Sequence, residues 1–461
     1  MSPLTRRSVL RTAGAAGAAA VLAGCGSITS GDGAAPRDSP HDGPSGGSPG
    51  RRPPQSSEFD SVVDVSQAAT GGPLDAVLRE NAGDDTLLYL PEGRYRMEDP
   101  FEFYEFERLA IVGRGATVVP PEGFRGALLD LGRPGEASGL LLEGIEFDIR
   151  GENTGPRPLL ALVDDDLTIR DVSVRGRQEL STEMMRVDVT DPEGSGLVER
   201  LRLPDGAAPG TGVTGVLVDE LNRGHLSFVD CYIEGFDDNG LYAEPPEGSI
   251  AVEGGRYANN NVSSVRVRGN STVRGVHVVC DRAIDGFDNM RGIRLRQGSD
   301  TLVENCTVEF RDVSGSDGAI TCGHWLESAT VRSTRVHIDT DGVSAINLKD
   351  PEDDTAADGP IVFEDIEITG EAGQEATVEV SEREGCTFDR VRLRQEGDAR
   401  DGFFFDEGRG TVRDCVVQVS GEPFVLQDGA IVDRVNVQTT RTTGSGGRDD
   451  RRRSGGWLPW L

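Results

Sequence analysis

Lysine is almost missing from this chain. Of its 47 basic residues one is lysine, Lys349, against 79 aspartates and glutamates and a formal net charge of −32. A surface of carboxylates without lysine reads as adaptation to concentrated salt, where dense acids keep a protein hydrated. In such brine the Debye length is roughly 3 Å at 1 M, so charges act only at short range. This acidity excludes nucleic acid as a partner. Aromatic residues make up only 5% and histidines number five. No histidines or cysteines stand at metal-ligand spacing, so no metal site is expected. Phosphate loops, dinucleotide fingerprints and nucleophile elbows are missing too. No run of 18 apolar residues occurs, which excludes a conventional spanning helix.

The ends of the chain differ from its middle. Arg6 and Arg7 in "TRRSVLR" precede a short alanine-glycine run that ends in "LAGC", Leu22 to Cys25. Together these resemble a twin-arginine lipoprotein signal of haloarchaeal type. The resemblance implies cleavage before Cys25, lipidation of Cys25 and attachment to the outer face of the cell membrane. Residues 1–25 are therefore expected to be the signal. Residues 26–57, rich in Gly, Ser, Pro and Asp, form a flexible tether, and 439–461 a tail of the same kind.

Between them the chain repeats. "LTIRDVSV" (167–174), "LSFVDCYI" (226–233), "TLVENCTV" (301–308) and "GTVRDCVV" (410–417) share one pattern, apolar and polar alternating about a central turn. The residue after that turn serves as an anchor. Anchors fall at Ile145, Val172, Leu201, Cys231, Gly255, Val276, Cys306, Thr334, Ile366, Val391, Cys415 and Val435, about 26 residues apart. Short alternating strands at such a period predict a solenoid in which one repeat is one turn. The fold class is thus all-β, a parallel β-helix of about 12 or 13 coils over 58–438. "GGPLDAVLREN" (71–81) supplies a short capping helix at its start. After Cys25 six cysteines remain; those at anchor positions read as small apolar core residues, with disulfides the alternative.

The capping helix, the "YLPEGRY" turn (89–95) and the coil motif resemble the pectate-lyase-like superfamily of right-handed parallel β-helix proteins. That group spans lyases, glycosidases, epimerases, tailspikes and adhesins, so the likeness implies the fold and leaves the chemistry open.

A further strand recurs in each coil, as in "NGLYAEP" (239–245), "SSVRVRG" (263–269), "RGIRLRQ" (291–297), "GAITCGH" (318–324) and "SAINLKD" (344–350). Aligned on their first inward residue, one outward column reads Tyr242, Arg266, Arg294, Thr321, Asn347. The next reads Glu244, Arg268, Arg296, Gly323, Lys349. Arg266, Arg268, Arg294 and Arg296 are then a two-by-two block, with Arg291 and Lys349 at its edges. Like charges opposite one another destabilise a sheet. Either an anionic ligand offsets that cost or carboxylates such as Glu244, Asp238 and Asp285 neutralise it. Asp237, Asp238, Tyr242, Asp317 and His324 flank the block as candidate catalytic groups.

Asp237–Asp238 and "CGHW" are similar to the Asp-Asp and Gly-His-Gly elements of polygalacturonase-type glycosidases, and "INLKD" to their Arg-Ile-Lys element. An Asn-Thr-Asp element is missing, Trp325 follows His324, and the first two elements lie about three coils apart. No catalytic assignment is carried over. Nor is there a calcium-binding aspartate cluster of the pectate-lyase kind, so no motif supports Ca2+ or another cofactor. Two readings follow. One is a tethered carbohydrate-active enzyme, lyase or glycosidase, acting on an acidic polysaccharide. Its arginines would neutralise a uronate and a Tyr242, arginine or Lys349 base would take the C5 proton. The other is a non-catalytic envelope protein that binds glycan. Oligomeric state is left open.

Overall fold

The computed structural model describes residues 57–68, 71–179, 183–352 and 359–442. The expectations for Arg6, Arg7, Cys25, the tether before residue 57 and the tail beyond residue 442 lie outside them. Every strand pairing is parallel, in one sheet of 27 strands and one of 13. Each typical coil lends two strands to the larger sheet and one to the smaller. Leu167–Arg170, for instance, bends into Ser173–Arg175 before the chain crosses to Glu183–Val189. The chain is a parallel β-helix.

The bend inside each coil explains the repeated motif. The residue before the anchor takes a left-handed conformation, as at Asp171, Asp230, Asn305 and Asp365, whose φ values are 53°, 50°, 56° and 54°. Asp and Asn tolerate that region best among residues with a side chain. The following anchor then points inward: Val172, Leu201, Cys231, Val276, Cys306 and Val391 are all buried. At Gly255 the anchor is a glycine because a Cβ there would lie 2.4 Å from the Cys231 carbonyl oxygen.

The last anchor is a correction. Val435 pairs with Arg413 and is exposed, and Asn436 takes the left-handed bend at 53°. The equivalent position is therefore Val437. Because side chains alternate with period two, a slip of two residues preserves the face and escapes pattern reading.

Stacked anchors and inward strand residues form one continuous core. It includes Phe363 on Phe388 at 5.1 Å and Phe403 on Phe424 at 5.3 Å between ring centres. Each fully buried aliphatic or aromatic side chain contributes about 1.5–3 kcal/mol. The six described cysteines are free and buried. Burial pushes the thiols of Cys231, Cys280 and Cys322 up to about 12, so they behave as apolar filling. At the N-terminal end the helix Leu74–Asn81 buries Leu74, Val77 and Leu78 over the first coil. At the other end Leu426, Ile431 and Val435 are exposed. Among the described residues no helix is long and apolar enough to cross a membrane.

Candidate functional site

The smaller sheet brings the arginines together. Its strands Asn239–Ala243, Ser263–Val267, Ile293–Gly298, Ile320–Leu326 and Ile346–Leu348 stack in order. Their register pairs Tyr242 with Arg266, Arg266 with Arg294, Arg294 with Thr321 and Thr321 with Asn347. Residues in one column are separated by the strand spacing of about 4.8 Å.

The four arginines of the block have different fates. Arg266 is neutralised: its Nη2 donates to Glu244 Oε2 at 2.6 Å and to the Tyr242 hydroxyl at 3.3 Å. Its guanidinium also lies over the Tyr242 ring, 4.2 Å from the centroid. Arg296 lies 3.9 Å above the Trp325 ring without a carboxylate partner among the described residues. Arg294 and the Arg268 side chain make no ion pair or hydrogen bond among the described residues. Burial, then the charges of Arg291, Arg266 and Arg296, pulls the Arg294 proton affinity down to about 9. Burial foremost, with the charges of Arg266 and Arg291, also lowers that of Arg296.

A β-bulge sets the position of the aromatic pair. Leu295 faces Cys322 and Gln297 faces Trp325, so Gly323 and His324 together oppose Arg296. Bulges re-aim side chains. Only glycine fits at 323, since a Cβ would lie 2.5 Å from the Arg296 carbonyl oxygen. The bulge lies inside the strand Ile320–Leu326, so His324 is part of it. His324 Nδ1 meets the Asp350 carbonyl oxygen at 2.8 Å.

Asp317 is positioned by a ladder of turn side chains. The Asn289 amide donates to Asn261 Oδ1, and the Asp317 amide to Asn289 Oδ1, each at 3.0 Å. Arg291 then grips the Asp317 carboxylate through Nε at 2.5 Å and Nη2 at 2.8 Å, and Lys349 Nζ adds a contact at 2.9 Å. Burial alone would raise this carboxyl; the two cations outweigh it and hold it at about 2. Asn289, Arg291, Arg294, Asp317, Thr321, Gly323, His324 and Lys349 line one cleft of about 360 Å³.

The aspartate pair lies outside that lining. Asp237 accepts the Gly210 and Gly212 amides at 3.0 and 2.6 Å, one on each oxygen, so it closes a loop. Asp238 Oδ2 accepts from the Thr214 hydroxyl at 2.7 Å and from Asn239 Nδ2 at 2.9 Å. Burial raises the Tyr242 phenol. Sequence reasoning passed over Asn289 and Glu379. The half-buried Glu379 carboxyl is raised by desolvation and accepts from Asn347 Nδ2 at 3.0 Å. The outward column Thr321–Asn347 continues to Glu379, which is the signal that would have found it.

The face carries unmet hydrogen-bonding capacity. Glu244 Oε1, Arg266 Nε, Arg296 Nη1 and Thr321 Oγ1 are buried with no partner among the described residues. Buried polar atoms are ordinarily satisfied, and each such lapse costs about 1–3 kcal/mol. Among the described residues no three His, Cys, Asp or Glu side chains gather as a metal would need.

No family model matches the chain, and no curated protein matches it in sequence. Solved structures with a similar path include PfbA, a surface adhesin of Streptococcus pneumoniae, at 11% identity and a TM-score of 0.44 over 86% of this chain and 96% of that one. The A-module of the Azotobacter vinelandii mannuronan C-5 epimerase AlgE6 has 12% identity and a TM-score of 0.41, over 82% of this chain and 99% of its own. A Yersinia enterocolitica family 28 exopolygalacturonase has 8% identity and 0.41, over 82% and 78%. Likeness at this level says nothing of activity.

Proposed function

We propose that the outer face of the smaller sheet, over strands 239–348, binds an acidic polysaccharide, and that the chain does so from the cell surface through a lipid on Cys25. One observation carries the glycan reading: Arg294 stands in a column of cations, lines a cleft and has no counter-ion among the described residues. A uronate supplies what is missing. Its carboxylate suits a guanidinium pair, and its hydroxyls can donate to Glu244 Oε1 and accept from Thr321 and Arg296. The Trp325 ring offers a surface for the apolar face of a sugar. Export, the anchor and life in high salt rest on the twin arginine, "LAGC" and the acid-rich composition.

Among the enzymatic readings, elimination fits better than hydrolysis. Hydrolysis needs a carboxylic acid that holds its proton near neutrality. Asp317 is kept ionised by Arg291 and Lys349, Asp237 is occupied by two amides, and Glu379, though its carboxyl is raised, is not part of the cleft lining. Elimination needs a cation beside the uronate carboxylate and a base for the C5 proton. Arg294, the cation without a counter-ion among the described residues, would meet that carboxylate, and Tyr242 or Lys349 would then take the proton. The C5 proton passes to that base, the C4–O bond breaks as C4=C5 forms, and the departing oxygen takes a separate proton from a donor such as His324. The test is to incubate the protein at high salt with polygalacturonate, alginate and hyaluronan, following binding, unsaturated-product absorbance and reducing ends. Binding with absorbance growth supports a lyase; binding alone supports the non-catalytic alternative; no binding to any acidic polymer refutes the glycan reading.

A further inference from the structure

Behind the bulge lies another cation without a counter-ion among the described residues. Arg383 follows the strand Ala376–Ser381 and is fully enclosed, 0% exposed. Nε donates to the Lys349 carbonyl at 2.8 Å and Nη1 to that of Leu326 at 2.5 Å. Nη2 donates to the carbonyls of Gly323 and His324, at 2.8 and 3.2 Å. No carboxylate pairs with it among the described residues, and burial lowers its proton affinity. A buried charge is costly unless its hydrogen bonds are met. Here they are met by main chain from a single region, the bulge and the end of the strand beside it.

We infer that Arg383 is the positioning residue of the anion site. It ties Gly323, His324, Leu326 and Lys349 to one rigid fork, and so fixes the bulge that carries His324 to the cleft and holds Trp325 under Arg296. The reasons are geometric. A bulge leaves its strand without a regular ladder, and the adjacent strand Ile346–Leu348 is only three residues long. The ladder resumes at Trp325 and Leu326, which face Gln297 and Gly298, and the Glu352 amide donates to the His324 carbonyl at 3.2 Å, so the clamp bears on the break at Gly323 and His324. A planar guanidinium spans several carbonyls at fixed angles, which a lysine cannot do. Arg383 donates to main-chain carbonyls and to none of the face's side chains, so it acts through the bulge. This inference rests on the anion-site reading and adds the device that preorganises it.

Arg400 provides an internal control. It too is fully enclosed, donating to Thr377 Oγ1 at 3.1 Å, Gln374 O at 2.7 Å and Val343 O at 2.7 Å. None of these partners lines the cleft. A purely structural buried arginine should behave like Arg400.

The experiment uses the full chain with Trp457→Phe and Trp460→Phe, which leaves Trp325 as the only tryptophan of three. Acrylamide quenching of Trp325, thermal stability and polygalacturonate binding are measured for Arg383→Met, Arg383→Lys, Arg400→Met and Arg294→Ala. Arg383→Met should raise Trp325 quenching and weaken binding about tenfold, the scale of a lost charge-assisted contact network. Arg383→Lys should recover part of both. Arg400→Met should lose thermal stability with Trp325 quenching and binding unchanged. If Arg383→Met fails to fold, Arg383→Lys decides on the same two readouts. Unchanged quenching in the folded Arg383 variants overturns the positioning role. Unchanged binding in Arg294→Ala, with quenching still responding to Arg383, overturns the anion-site reading while the clamp on the bulge stands.

Discussion

The two sheets treat arginine in opposite ways. On the larger sheet one outward column reads Glu253, Arg274, Glu304, Arg332, Glu364, each paired to the next across the ladder. Glu304 lies between two arginines, 2.6 Å from each of Arg274 and Arg332. On the smaller sheet Arg266 stacks directly on Arg294, with Arg291 and Arg296 adding repulsion. Opposite charges across a ladder stabilise it and like charges do the reverse. The same chain therefore shows that it neutralises arginine columns where the role is structural. Where it leaves one unneutralised, over a cleft with unpartnered polar atoms, a ligand is the simplest missing partner.

The largest expected effect comes from imposing the first pattern on the second. Arg294→Glu would set a carboxylate beside Arg266 and give this column the alternating signs of the larger sheet. We expect anionic-glycan affinity to fall on the order of 100-fold, since a cation becomes an anion at the cleft. Melting temperature should rise. A variant that binds as before would dissolve the comparison. The converse is Glu304→Arg, which would put three guanidinium groups in a row from Arg274 to Arg332. Its melting temperature should fall, with no effect on binding at the smaller sheet.

Titration gives smaller effects with defined signs. Arg294 has a proton affinity lowered to about 9, so between there and the ordinary guanidinium range the unfolded chain holds more protons than the folded one. Stability therefore gains from this group as pH rises through that window. Affinity for an anion moves the other way, falling as pH passes about 9, and Arg294→Ala should remove both trends. Asp317 behaves conversely. Its carboxyl is held at about 2, below the ordinary 3.8, so its stabilising contribution is present above that ordinary value and is lost as pH falls toward 2. Asp317→Asn should flatten that acid limb of the melting curve. Salt should have the smallest effect: the half-buried Arg266–Glu244 pair should resist screening better than the exposed Arg335–Glu367 pair, measured by double-mutant cycles at low and high salt.

Much of the fold could be read from residue pattern because each coil repeats one physical requirement. A left-handed bend favours Asp, Asn or Gly, and the position after it needs a small or branched apolar residue. The repeated alternation located the anchors up to Cys415, although Arg200, Ser333 and Arg390 take the left-handed bend before Leu201, Thr334 and Val391. The column Tyr242–Arg266–Arg294–Thr321–Asn347 was legible for the same reason, since parallel strands in adjacent coils share a period of two. What alternation could not reveal is who pairs with whom. Glu244 neutralises Arg266, while Asp238 turns to Thr214 and Asn239; both were plausible partners on spacing alone. Nor could it reveal the bulge, where Gly323 and His324 together face Arg296. Arg383 was invisible for a different reason. In "SEREG" it looks like one more surface charge in a turn, and only three-dimensional packing buries it under the site.

The most direct measurement is a pair of curves for Arg294→Ala beside the unaltered protein: thermal melting, and binding of acidic oligosaccharide at high salt. The account predicts a melting temperature equal to or above the original, because a repelled, unpaired cation is removed, together with a loss of about tenfold or more in affinity. A lower melting temperature with affinity unchanged would contradict it, and would make the arginine column part of the scaffold.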